Sequence, residues 1–287
     1  VHKMNFLLSS SKPSKTIEKK VRRASAVSQI LRNLHDQNGF DSYQLENFSF
    51  SVASDFGQLG ECYSLAYREY LKKGYVKSEN ISQMIVNDYD LNKTTMVVMA
   101  KNKLQEVVGT LTIVVDDNRG LPCDELFSNE LTTMRQNGAK LAEVVRLAIS
   151  SEFQNSKEIL VGMFNLVCNY IKNITCGSDL LIEVNPRHVK YYQRLLLFKI
   201  MSDVRECHRV EGAPAVLLCL NKADVLAYRK SGQEKEYLKS LHPHLSTGLE
   251  ELHLANMIRS KMLRITYQTR EEISNYIQLN GSLSVAP

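Results

Sequence analysis

The sequence has no tryptophan, few prolines (6) and few cysteines (6) among its 287 residues. The cysteines stand at positions 62, 123, 168, 176, 207 and 219, with no C-x-x-C pair and no dense spacing. That pattern suggests neither a zinc site nor a disulfide framework, and the thiols are expected to be reduced and mostly buried. Long apolar runs are also missing. The longest, Ala215–Leu220, is 6 residues, whereas a bilayer span needs about 18. The stretch Met4-Asn5-Phe6-Leu7-Leu8 is too short for the apolar core of a secretory signal, which takes about 7–15 residues. A cytoplasmic location is therefore expected. Nor does one sign of charge dominate: 36 Lys and Arg face 31 Asp and Glu, a net +5. So small an excess gives no reason to expect a nucleic-acid partner.

What remains is the composition of a soluble globular protein, 44% apolar and 23% charged. The length suits one large domain, or one domain with appendages. Residues 1–40 are basic, and apolar residues at three- and four-residue steps from Ile17 to Leu34 predict a helix there. It reads either as a docking helix with a solvated basic face or as a helix for a membrane surface or partner. Strand signals vanish after Asn221, where helices are expected over 222–241, 247–266 and 270–279. The chain thus divides into a basic arm (1–44), a mixed domain (45–221) and a helical extension packed on that domain (222–287). His242-Pro243-His244 has no third ligand nearby and reads as a loop, so no metal site is expected.

Within the central domain, Phe48–Ala53 alternates as a strand, and Ser54-Asp55 offers an N-cap for a helix ending near Gly74. Strands at 94–101 and 107–117 form a hairpin. An acidic, turn-rich loop comes next, then a short helix to about Gly138 and a strand at 140–150. A helix over 157–174 ends at Cys176-Gly177. Beyond it come a strand at 179–184, a helix over 187–198 and a hairpin with arms 204–210 and 215–221. This order predicts an α/β (α+β) fold, a mixed sheet flanked by helices.

Four patterns stand out as carriers of chemistry. Tyr67-Arg68-Glu69-Tyr70-Leu71 closes the first domain helix, and Gly120-Leu121-Pro122-x-Asp124 forms a loop. Leu141-Ala142-Glu143-Val144-Val145-Arg146-Leu147-Ala148-Ile149 sets two charges in an apolar strand. Glu183 to Phe198 is a strand-to-helix junction with paired tyrosines. A carboxylate in a doubly buried strand costs several kcal/mol unless paired or hydrogen-bonded. Two readings are open. Glu143 and Arg146 form a buried ion pair, or Glu143 faces a cleft where desolvation suits it to general-base work. Strict alternation puts residues 143 and 146 on opposite faces, and a β-bulge near Val144–Val145 would bring them closer.

The element order and these patterns, over roughly 48–221, resemble the GNAT acyltransferase superfamily. The nearest likeness within it is to long-chain N-acyl amino acid synthases of the N-acyltyrosine synthase type, which are related to acyl-homoserine-lactone autoinducer synthases. The resemblance implies a GNAT-like, mainly antiparallel sheet with helical extensions at both ends. It also implies an enzyme that moves a long-chain fatty acyl group to the α-amine of an amino acid, with tyrosine favoured. Glu143 and Arg146 match the Glu-x-x-Arg of the autoinducer synthases, and Arg68 matches the Arg of their first helix. Glu143 is then the base, Arg68 or Arg146 holds a carboxylate, and Tyr192 is the candidate acid for the departing thiolate, against a plain core role. Leu111, Ile113, Val145 and Leu147 are candidate walls for the acyl chain.

Users of acetyl-CoA in this superfamily carry a glycine-rich loop whose N–H groups cradle pyrophosphate. Here the matching stretch, 150–158, has no glycine and two carboxylates. That departure favours a donor on the phosphopantetheine of an acyl carrier protein, with no permanently bound cofactor. Arg187, Lys190 and Arg194, spaced by three and four, form a basic stripe that either docks the acidic carrier or is ordinary solvated surface. Peripheral membrane contact through a lipid product is a further expectation. Two rivals stand beside this reading. One is an autoinducer synthase, although the tryptophan common near that branch's N-terminus is missing here. The other is a non-catalytic acyl-carrier or lipid-binding module.

Overall fold

A computed structural model describes residues 42–45, 47–77, 82–228, 231 and 248–282. The basic arm, the His242-Pro243-His244 turn and most of the helix expected over 222–241 lie outside the described residues.

Strands β1 (Tyr43–Leu45) and β2 (Phe48–Val52) lead into helix α1 (Phe56–Lys72). Asp55 caps α1 as expected: its backbone is extended and its carboxylate accepts the Gln58 N–H at 2.9 Å. Past the helix end, Gly74 takes φ +72°, a conformation that costs a residue without Cβ least. A 3₁₀ turn over Asp88–Leu91 precedes the hairpin of β3 (Met96–Lys101) and β4 (Val107–Val115). Asn102 shapes the hairpin loop by accepting the N–H groups of Leu104 and Glu106, each at 3.0 Å. Helix α2 (Asp124–Gln136) and strand β5 (Leu141–Ile149) come next, then helix α3 (Lys157–Tyr170), which widens into a π turn over Ile171–Thr175. Cys176, not Gly177, takes the left-handed position there, at φ 55°. Strand β6 (Asp179–Val184), a 3₁₀ turn at Pro186–His188 and helix α4 (Val189–Leu196) continue the order. The chain then runs through β7 (Lys199–Ile200), β8 (Arg205–Cys207), β9 (Ala213–Asn221), α5 (Lys222–Tyr228), α6 (Gly248–Arg264) and α7 (Tyr267–Asn280). The short strands β1 and β7 give no period in the sequence and were not expected.

The sheet runs β1-β2-β3-β4-β5-β6-β9-β7, with β8 on β9. Every pairing is antiparallel except β5 with β6. Helices α3 and α6 cover one face, where Phe50, Leu111, Ile113, Ala142, Val144 and Ile182 pack against Met163, Phe164 and Ile258. The other face is covered by α1, α2 and α7. Contact is closest at Gly162 of α3, where an added Cβ would stand 2.3–2.5 Å from the Phe50 ring.

Two departures from regularity open the sheet at its centre. Strands β5 and β6 pair only from Leu141↔Asp179 to Val144↔Ile182, and beyond that rung they separate. On its other edge β5 carries a bulge: Thr112 faces Val145 and Thr110 faces Ala148, so Arg146 and Leu147 together oppose Leu111. The bulge lies beyond the Val144–Val145 position expected from sequence, and Arg146 adopts φ 54° within it. An extra residue of this kind bends a strand and strengthens its twist, which turns the end of β5 away from β6.

Overpacking at the α3–sheet contact costs about 1–3 kcal/mol. Gly162→Ala is accordingly expected to lower the thermal midpoint by several degrees in a differential scanning measurement. An unchanged midpoint would mean that α3 shifts freely over Phe50.

Candidate active site

Arg146 is buried although charged, 1% exposed. Its guanidinium forks onto Asp90, with Nη1 to Oδ2 at 2.7 Å and Nη2 to Oδ1 at 2.5 Å, and Nη1 also donates to the Ile85 carbonyl at 3.0 Å. It lies 5.1 Å from the centre of the Tyr63 ring, and the Tyr63 hydroxyl donates to Asp90 at 3.1 Å. Burial opposes the charge of Arg146, but Asp90 outweighs it, so the guanidinium stays protonated well above its ordinary range. Asp90 is itself fixed by the Asn87 N–H at 2.9 Å, in a capping box at the head of the 3₁₀ turn.

Glu143 is fully buried, 0% exposed, on the face beneath α2. One oxygen accepts the Cys123 N–H at 2.9 Å. The other, Oε1, has no hydrogen-bond partner among the described residues. Burial, and next the charge of Glu183, raise the Glu143 carboxyl to about 7, against the pull of Arg209 and of the Cys123 N–H. Glu143 and Arg146 therefore do not pair. The bulge lets both meet partners on the α1/α2 side of the sheet, but those partners belong to separate networks.

Where β5 and β6 part, a cavity of about 510 Å³ opens. Leu147 and Ile149 of β5, Val184 of β6 and Leu160 of α3 give it apolar walls. Tyr70 and Tyr192 also line it. Tyr70 is 1% exposed and its hydroxyl has no hydrogen-bond partner among the described residues. Burial raises the Tyr70 phenol far above its usual range, with Tyr192 adding to the effect and Glu183 contributing. Burial raises the Tyr192 phenol likewise, so both remain protonated at neutral pH.

The rim is basic. Lys73, Lys157, Arg187 and His188 all line the cavity. Partial burial lowers the Lys73 ammonium, and Arg187 lowers it further. His188 is depressed by burial and then by Arg187 and Lys73. Arg187 is steadied by the Tyr75 hydroxyl at 3.0 Å. The one rim carboxylate, Glu69, is neutralised by Lys72 at 2.7 Å, and it accepts the Ser151 hydroxyl at 2.8 Å. Lys72 also donates to Ser151 at 2.8 Å, so the loop between β5 and α3 is clipped to the end of α1. Helix α3 opens at the cavity edge with Ser156 as its N-cap, its hydroxyl accepting the Ile159 N–H at 3.4 Å.

The sequence-derived site residues separate on this geometry. Tyr192, Leu147 and Arg187 line the cavity; Lys190 and Arg194 lie exposed on α4. Leu111 and Ile113 are fully buried in the α3-side core, and Val145 packs on the opposite face with Phe127 and Leu217. Of the four expected acyl-chain walls, only Leu147 reaches the cavity. The two Nη groups of Arg146 are occupied by Asp90 and Ile85, so its fork is not open to a substrate carboxylate. Arg68 is exposed on α1 and does not line the cavity. Of the paired tyrosines, Tyr191 is 40% exposed, while Tyr192 turns inward against Phe198 with ring centres 6.0 Å apart. The Gly120–Asp124 loop is structural: Asp124 accepts the Leu121 N–H at 2.7 Å and pairs with Arg135.

Tyr70, Lys73, Asp90, Glu183 and Arg209 were missed. Glu183 gives the same signal as Glu143, a carboxylate inside an otherwise apolar stretch of strand, Leu180–Val184, and was within reach of the sequence. Asp90 gives none, because it stands 56 residues from Arg146. Among the described residues no helix is long and apolar enough to cross a membrane, and no group of three His, Cys, Asp or Glu is placed to hold a metal ion.

Comparison with known proteins agrees with this geometry. The family model described as N-acyl amino acid synthase FeeM matches residues 61–221. Among solved structures, the N-acyl amino acid synthase FeeM from uncultured soil microbes is similar at 24% identity and a TM-score of 0.53, over 61% of this chain and 89% of that one. Weaker likenesses include the AHL synthase LasI (16% identity, TM-score 0.48, 63% of this chain and 90% of that one). Another is the ribosomal-protein-S5-alanine acetyltransferase of Vibrio fischeri (12%, 0.46, 64% and 97%). No curated protein sequence matches the chain. The fold is the GNAT-like one, a mostly antiparallel sheet flanked by helices, with helices at the C-terminal end.

Removing one partner of a buried ion pair costs about 3–5 kcal/mol, because the other charge is left unpaired. Asp90→Ala is expected to lower stability by that order in urea unfolding, and to release the bulge that Arg146 anchors. A loss below about 1 kcal/mol, the range of exposed pairs, would show that Arg146 finds another partner.

Proposed function

Because the chain belongs to the N-acyl amino acid synthase FeeM family and is an acyltransferase, we propose that it moves a long-chain fatty acyl group from the phosphopantetheine of an acyl carrier protein to the α-amine of an amino acid, with tyrosine the favoured acceptor. The observation that carries this reading is the cavity at the parting of β5 and β6, apolar within and cationic at its mouth. An acyl chain suits the walls of Leu147, Ile149, Leu160 and Val184. A phosphopantetheine phosphate suits Lys73, Lys157 and Arg187 at the rim. Arg187, Lys190 and Arg194 then orient the acidic carrier. A carrier-borne donor also fits the loop after β5, which has no glycine and whose Ser151 is tied to the Glu69 carboxylate of α1. A cytoplasmic setting goes with this donor and with six free cysteines.

The acceptor arrives as an ammonium and gives a proton to Glu143, through water where the carboxylate lies behind the cavity wall. Tyr70 lines the cavity, and its phenol feels both Tyr192 and Glu183. The amine nitrogen then bonds to the thioester carbonyl carbon. Backbone N–H groups of β5 support the oxyanion. As the C–S bond breaks, the thiolate takes a proton from Tyr192, and the tyrosinate is reprotonated by the second proton of the newly acylated nitrogen, which leaves a neutral amide.

The test is direct. Incubate the protein with palmitoyl-loaded carrier protein and a mixture of the twenty amino acids, and identify acyl amides by mass spectrometry. N-acyl amino acids, N-acyltyrosine foremost, are expected; turnover with CoA thioesters but not carrier thioesters would defeat the carrier assignment. Glu143 must be ionised to act, so kcat/KM should rise with pH through about 7 and then level. Glu143→Gln should lose about 10²-fold or more in kcat, and undiminished turnover would remove the base. Charge reversal at Arg187, Lys190 and Arg194 should raise KM for the carrier and spare kcat.

A further inference from the structure

A second buried carboxylate lies beside Glu143 and takes no direct part in the transfer. Glu143 faces Leu181 across the parallel pair β5–β6, so Glu183 stands two residues further along the neighbouring strand and on the same face. Both side chains are 0% exposed. Arg209, from the turn after β8, donates Nη2 to Glu183 Oε2 at 2.5 Å, while its Nε faces Glu125 at 3.3 Å. Three atoms of this cluster lack hydrogen-bond partners among the described residues: Oε1 of each glutamate and Nη1 of Arg209. Leaving buried polar atoms unpaired is costly, and here two carboxylates share one guanidinium. The remaining groups around Glu143 are Cys123 just before α2 and Tyr89 of the 3₁₀ turn; around Glu183 they are Cys207, Cys123, Tyr70 and Glu125. None of these brings a second cation. A buried carboxylate next to another of its kind gives up its charge more readily than one alone.

We propose that Glu183 is a positioning residue for the transfer: tied to Arg209, it acts across the two strands on Glu143 and so governs when Glu143 can take the acceptor's proton. The proposal rests on Glu143 as the base. Arg209 fixes Glu183 in place without reaching Glu143 as a hydrogen-bonded partner, so the influence on the base passes through charge and not through contact. Gln in place of Glu183 would keep the shape and lose that influence.

The experiment compares wild type with Glu183→Gln over a range of pH, using acyl-carrier thioester and tyrosine. With the repulsion gone and Arg209 freed, the acid limb of kcat/KM is expected to move down by about one pH unit or more. A merely structural role would lower kcat or the thermal midpoint and leave the limb where it was. A readout without turnover guards against loss of folding in that variant. Glutamate labelled with ¹³C at the carboxyl is followed by NMR in Glu143→Gln. Coupling between two sites is reciprocal, so the Glu183 carboxyl should titrate lower in that variant by the same interval. An unmoved acid limb in folded Glu183→Gln, or an unmoved Glu183 carboxyl in Glu143→Gln, overturns the proposal. Failure of the base reading looks different: Glu143→Gln then keeps its full turnover, whatever the carboxyl signals do.

Discussion

The buried ion pair between Arg146 and Asp90 is the contact on which the rest of this architecture turns. A non-glycine residue in the left-handed region is strained, and a guanidinium without water is costlier still. Both are tolerated in one residue because Asp90, Ile85 and the Tyr63 ring receive the side chain together. The pair spans the structure: it joins the middle of β5 to the 3₁₀ turn before β3, beneath α1. With Arg146 held there, the bulge has one position, Leu147 is turned to the opposite face, and β5 leaves β6 at Val144. The cavity is the space that this separation creates. A site built this way depends on a charge pair that touches no cavity atom.

The two faces of the sheet meet at that point with opposite electrostatic character. Beneath α2, Glu143 and Glu183 are shut away from water with Arg209. On the cavity side, Lys73, Lys157, Arg187 and His188 line the rim, where Arg187 adds to burial in lowering the proton affinity of Lys73 and His188. Between them stand Tyr70 and Tyr192, held protonated by burial. A reaction that takes a proton from a cation and returns one to an anion finds an acceptor on one side and donors on the other. In the proposed reaction this separation would keep Glu143 from being neutralised by the rim cations.

How much of this was legible beforehand tracks the range of the forces involved. Alternation and three-to-four spacing are local, and β2, β4, β5, β6, α1 and α3 were readable within a few residues of their ends. The cap at Asp55 and the turn at Gly74 were readable too, because each rests on one residue's own preference. The bulge was anticipated as a feature, but its place at Arg146–Leu147 is fixed by Asp90, from a segment far away in sequence. The expected acyl-chain walls do not share a face: Leu111 and Ile113 look to one face by strict alternation, and Val145 to the other. On α4 both Tyr191 and Tyr192 fit a helical stripe, and only the placement of Phe198 selects Tyr192. Glu143 stood out because a lone carboxylate in an apolar strand always asks for a reason, and Glu183 asks the same question on the next strand.

The clip between Glu69, Ser151 and Lys72 bears on how such a protein can change over generations. A loop that recognises nucleotide pyrophosphate needs bare backbone N–H groups and room for two phosphates. Here the loop after β5 is fastened by its own serine to a carboxylate from α1, with a lysine closing the triangle. Inserting glycine alone would leave that carboxylate in the way. Reshaping this loop to take a nucleotide would first require undoing the triangle, and undoing it would loosen the end of α1. The fastening thus couples any change of that loop to the stability of a helix on the other side of the cavity mouth.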